Sequence, residues 1–98
     1  MQTIEYKIQK GKKEEKRQLD LIDIGWSEFC KSADLSIKIS MPNGSQFTDI
    51  SNFIMLHTGK SDKDMMDWNN SCKNHPDFMQ EIMEAFEAIS KHLEKKRK

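Results

Sequence analysis

No stretch of this chain is apolar for long enough to cross a bilayer as a helix, which takes about 20 residues. The opening Met1-Gln2-Thr3-Ile4-Glu5-Tyr6 lacks the charged-then-apolar layout of a secretory leader. A soluble, intracellular protein is expected: cytoplasmic, or nucleoid or nuclear if its partner is DNA. Cysteine is scarce, with only Cys30 and Cys72 and no Cys-x-x-Cys pair. Two such residues in an intracellular chain are usually free buried thiols. A bridge between them stays open, because geometry and not spacing decides it. An excess of one charge is also missing. The 16 basic and 16 acidic residues cancel, whereas a dedicated nucleic-acid binder is usually basic overall. Catalytic signatures are absent too, with no hydrolase nucleophile motif and no dinucleotide fingerprint. Gly59-Lys60-Ser61 echoes the end of a phosphate loop, but the motif's upstream glycine would fall at Ile54, inside an apolar segment. No general base with a partner is visible, so neither an enzyme nor a cofactor is expected.

What is present is a chain of 98 residues, enough for one domain with a modest core. Its charges are unevenly placed. Lys10 to Arg17 holds five basic residues against two acidic, and Lys91 to Lys98 holds five against one. Asn43 to Ser90 is the reverse, with three lysines against eight carboxylates. The ends are basic and the middle is acidic.

Ile4, Tyr6 and Ile8 alternate with polar residues, the period of a half-buried strand. Residues 10–17 carry no apolar side chain and read as a mobile solvated loop at a hairpin tip, with Leu19 to Ile24 as the returning strand. Gly25 breaks it, and Trp26, Phe29 and Cys30 suggest a short helical turn. Leu35, Ile37, Ile39 and Met41 alternate with Ser36, Lys38 and Ser40, which predicts a second strand. Asn43-Gly44 suits a tight hairpin turn into a short partner strand at Ser45-Gln46-Phe47. Thr48 then caps a helix whose Ile50, Phe53, Ile54 and His57 share one face, with Gly59 as its stop. Ser61 and Asp64 resemble a capping box opening a second helix, on which Met65, Trp68 and Cys72 form one stripe. Asn74 caps the last helix, whose stripe runs through Phe78, Ile82, Phe86, Ile89 and Leu93. Glu81, Glu84 and Glu87 are expected to point outward, and the basic tail 94–98 to be mobile. The apolar stripe can pack on the sheet or pair with another copy, so a homodimer is open. The fold class expected is α+β. It is a single domain over 1–98, with a small antiparallel sheet or hairpins against about three helices, the last long and amphipathic.

Three constellations could carry chemistry, and each has a plainer account. Cys72 and His75 are spaced like zinc ligands, but Cys30, His57 and His92 supply no second short-spaced pair, so a structural thiol and a surface histidine are preferred. Asp62, Asp64 and Asp67 could mimic a magnesium site, yet they fit a solvated helix start better. Trp68 reads as the anchor that locks the second helix onto the sheet rather than an exposed hot spot, and Met65, Met66, Met79 and Met83 as core filler rather than an adaptable binding groove. No metal is expected.

The order of segments from Ser36 to Ile89 is distinctive. A strand with Ile37 and Ile39 meets Asn43-Gly44, then Phe47, Thr48 and Ile50, then Gly59-Lys60, Trp68 and a helix entered at Phe78. In this order the chain resembles the KilA-N domain, a DNA-binding module of large DNA viruses and phages related to fungal APSES domains. The family usually has basic residues just after the Trp, where this chain has Asn69, Asn70 and Ser71. The resemblance implies a DNA partner, with Lys38, Lys60, Lys63 and Lys73 on phosphates and Asn69 or Asn70 at base edges. The alternative is a protein-interaction module of phage or mobile-element type, an inhibitor or adaptor. Its acidic middle would dock on a basic surface.

Overall fold

In a computed structural model, residues 2–41 and 46–96 are described. Among them the chain forms two strands, β1 (Gln2–Lys10) and β2 (Lys13–Leu21), and four helices. These are α1 (Trp26–Ser40), α2 (Gln46–Thr58), α3 (Asp62–Ser71) and α4 (His75–Lys96). The class is α+β, as the sequence implies. None of the described helices is long and apolar enough to cross a membrane.

The strands pair antiparallel, with Ile4 opposite Leu19, Tyr6 opposite Arg17 and Lys10 opposite Lys13. Gly11 opens the two-residue loop with φ +62°, the positive angle that the first residue of a type II′ turn requires. Period-2 alternation sends Ile4, Tyr6, Ile8, Leu19 and Leu21 to one buried face. That face packs on α4, and α2 meets β2. The expected loop at 10–17 is corrected, because Lys10 ends β1 and Lys13 to Arg17 belong to β2. Lys13, Glu14, Glu15 and Lys16 are all exposed. This half of β2 is held by strand pairing and leaves no hydrophobic pattern to read.

The expected strand at Leu35–Met41 is also corrected, because α1 runs unbroken through Ser40. The alternation arises because Leu35 and Ile39 form an i, i+4 pair on one side of the helix, while Ile37 lies on the other and Met41 just past its end. Leu35 and Ile39 face the core, while Ile37 and Met41 are 55% and 52% exposed. The short turn expected at Trp26 is therefore the start of a helix of 15 residues. Asn43-Gly44 and Ser45 lie outside the described residues. Gln46 and Phe47 are helical rather than extended, which places Thr48 in the first turn of α2 and not at its cap.

The remaining punctuation holds. Gly59 ends α2 at φ +73°, and its N–H donates to the Met55 carbonyl at 2.9 Å. Ser61 and Asp64 form a complete capping box on α3. The Asn74 side chain accepts from the Asp77 N–H at 2.9 Å at the start of α4. Residues 94–96, expected in a mobile tail, continue α4. The core gathers where α2 and α4 cross beneath the hairpin, around Phe53, Ile54, Ile82 and Ile89, which are closed to solvent.

Candidate functional site

Two buried polar groups lie inside this frame. Ser32 Oγ and His57 Nε2 share a hydrogen bond of 2.6 Å between α1 and α2. The pair has the composition of a nucleophile and a base, but both residues are at most 4% exposed. No other hydrogen bond orients the imidazole ring among the described residues. The pair ties two helices together. Burial holds the His57 pKa below its ordinary value. The unfolded chain therefore binds a proton at His57 more readily than the folded one. Stability from this site is full above about pH 6.5, the unfolded value, and is lost as pH falls toward the folded value. Thermal unfolding scanned from pH 7.5 to pH 5 should show this loss, and His57→Gln should flatten it.

The second group is Glu81, which is 2% exposed although its place among Glu84 and Glu87 suggests solvent; that expectation is corrected. Arg17 Nε on β2 donates to its Oε1 at 2.7 Å, and the Cys72 thiol donates to its Oε2 at 2.7 Å. Burial alone would raise the Glu81 carboxyl, but these two hydrogen bonds and the Arg17 charge outweigh it and hold the group below the usual carboxylate range. Burial, then the bond to Glu81, pushes the Cys72 thiol up to about 11. Cys72 is thus protonated and weakly nucleophilic near neutrality. Both cysteines are free, but the burial expected of them is corrected, because Cys30 is exposed and Cys72 only partly buried. A timed alkylation at pH 8 with mass detection should label Cys30 well before Cys72. Adding Glu81→Gln should weaken the clamp between hairpin, α4 and the α3–α4 link.

The outer surface offers a different chemistry. A groove of about 500 Å³ runs between α2 and α3, ending at the start of α4. Met55, Met65 and Phe78 form its apolar part, and Phe47 stands at its α4 end. Phe47 lies edge-on to Phe78 at 6.0 Å and beside the His75 ring at 5.3 Å. Met66 projects from α3 and is 64% exposed. Asp62, Asn69 and Asn52 supply polar edges. Of the methionines read as core filler, Met65 is buried, whereas Met66 and Met83 are exposed. One sequence signal for the groove was available: on α3, Met66 falls off the stripe defined by Met65, Trp68 and Cys72.

The residues predicted to touch DNA are placed as follows. Lys60 lies in the α2–α3 link, with Nζ 5.7 Å above the Trp68 ring. Trp68 also meets Phe78 edge-on at 5.6 Å, so it anchors α3 on α4 and not on the sheet as expected. Lys63, Asn69 and Asn70 are exposed on α3, and Lys73 is exposed in the link to α4. Lys38 stands apart on α1, which packs on α2. Among the described residues the basic ends do not converge. The Gln80 amide near the start of α4 donates to the Gln9 carbonyl, beside the hairpin tip. His92 near the other end meets Gln2 at 2.6 Å, at the open end of the hairpin. Lys10 to Arg17 and Lys91 to Lys95 therefore sit at opposite ends of α4.

Compared with protein-family models, curated proteins and solved structures, the chain matches none of them.

Proposed function

We propose that this chain is a small non-enzymatic binding module that docks a partner protein in the α2–α3 groove. The partner presents the apolar face of a helix flanked by lysine or arginine. The observation that carries this reading is Met66, a large apolar side chain 64% exposed at the edge of a methionine-rich groove. Unbranched thioether side chains adapt to varied apolar surfaces, as helix-binding grooves require. The charge follows the same logic. α3 carries Asp62, Asp64 and Asp67 against a single lysine, Lys63. A basic flank on the partner is steered toward that face, and an acidic one is repelled.

A second reading is DNA binding, in line with the KilA-N resemblance. It rests on Lys60, Lys63, Lys73, Asn69 and Asn70 surrounding one helix. Against it stand the aspartates of α3 and the separation of the basic ends, both unfavourable to a phosphate backbone.

One experiment separates the two. Immobilised protein is exposed to nuclease-treated lysate, and its affinity for duplex DNA is measured by fluorescence anisotropy across a salt series. A stoichiometric protein retained by the wild type and lost with Met66→Lys supports the groove. Duplex binding that weakens steeply with salt and is lost when Lys60, Lys63 and Lys73 become alanine supports DNA. Absence of both ends the binding-module reading.

A further inference from the structure

The second exposed apolar surface lies on α1, away from the groove. Trp26, Cys30, Ala33 and Ile37 follow one another at spacings of four, three and four residues. That is the seam spacing of a helix that packs lengthwise on another helix. The seam faces solvent: Trp26 is 77% exposed, Ile37 is 55% exposed, and Cys30 is exposed. The Trp26 ring stacks on that of Phe29, centroid to centroid at 5.5 Å. The core-facing side of the same helix is a different set, with Ser32, Leu35 and Ile39. Beside the seam, an apolar trough continues onto α4 through Phe86 and Leu93, with Ala33, Ser36 and Ser90 as small residues in its lining.

The geometry points to a second copy of this chain as the occupant, paired through α1 in an antiparallel, two-fold arrangement. The seam is self-complementary in that orientation. Setting Trp26 opposite Ile37 of the second copy sets Cys30 opposite Ala33, and the two-fold repeats both pairs. Bulky residues meet bulky ones at the ends, and small residues meet at the centre, where the helices come closest. The charges agree with the same register. Asp34 falls level with Phe29 of the second copy, two residues and about 3 Å of helix rise from that copy's Lys31. Asp34 and Lys31 lie on the same flank of the seam, so the two lysines and two carboxylates form a neutral quartet there. The chain's zero net charge puts no long-range repulsion between copies. An isologous contact of this kind closes at two and propagates no further.

Sedimentation equilibrium of the full chain tests the proposal. A dimer is expected, and Trp26→Lys should weaken it by at least about thirtyfold, the effect of removing an aromatic hot spot. Because Trp26 is exposed, circular dichroism of this variant should match the wild type. Charge reversal supplies a readout independent of packing. Lys31→Glu and Asp34→Lys should each weaken the dimer, and the double variant should restore it. Oxidation with diamide should crosslink the wild type through Cys30, with Cys72→Ser unaffected and Cys30→Ser left uncrosslinked. A chain that stays monomeric at about millimolar concentration, where even weak association shows, would overturn the proposal. So would a dimer indifferent to Trp26→Lys, or one that the double reversal does not restore. Met66→Lys leaves this interface untouched, so the dimer and the groove stand or fall separately.

Discussion

Phe53→Ala should lower the stability of the fold by about 3–5 kcal/mol, the usual range for truncating a fully buried phenylalanine. Phe53 has no solvent exposure. Its ring lies 4.6 Å from the His57 ring and 4.8 Å, edge-on, from that of Phe86. It therefore joins α2 to α4 and packs against the histidine that binds α1. A domain of this size is stabilised by only about 5–15 kcal/mol in total, so one side chain accounts for a large share. Alanine at this point leaves a cavity that rigid neighbours fill poorly. Urea titration should show a much lower midpoint with an unchanged slope. A shift below about 0.5 kcal/mol, the range of surface positions, would mean that the helices do not cross at Phe53.

The second large effect concerns binding and leaves the fold alone. Met66→Lys should change stability by no more than about 0.5 kcal/mol, as an exposed helical position does. It should weaken partner binding by at least about thirtyfold, the scale of losing one interfacial anchor. Two effects combine here. The thioether's contact area is lost, and a new cation stands where a basic partner approaches. Asp62→Asn should act more gently, mainly by slowing association and reducing its salt dependence. Isothermal titration of the purified partner against both variants separates these contributions. Equal losses for Met66→Lys and Phe53→Ala at matched folded fractions would show that binding reports fold integrity and not the groove.

The sequence made the helical half of the molecule legible because its signals were chemical as well as periodic. Ser61 and Asp64 predict a capping box, and the structure contains one. Gly59 predicts a stop, and it carries the positive φ that makes it one. Of the stripe from Phe78 to Ile89, Phe78, Ile82 and Ile89 are buried and Phe86 is half-buried. The failures came where a pattern had two physical sources. Leu35 to Met41 alternates because Leu35 and Ile39 share the buried face of α1, while Ile37 on its solvent face and Met41 just past its end are exposed. The exposed half of β2 has no apolar face, so only its pairing with β1 defines it. Glu81 gave no local sign of burial, because its partner Arg17 is 64 residues away in sequence. Ser32 and His57 were hidden for the same reason, at a separation of 25 residues. The groove is partly visible in hindsight through Met66, but Phe47 joins it only once α2 and α4 are brought together.

Methionine-methyl NMR tests the groove most directly. The chain has seven methionines, and Met55, Met65 and Met66 line the groove while Met41 and Met83 lie elsewhere. The labelled protein is titrated with a panel of amphipathic helical peptides, each made with lysine flanks and again with glutamate flanks. Docking in the groove predicts shifts at Met55, Met65 and Met66 with the lysine-flanked members, and much weaker ones with their glutamate counterparts. Stationary signals at these three methyls across the panel would contradict it. So would shifts confined to Met41 and Met83, or a response to duplex DNA alone.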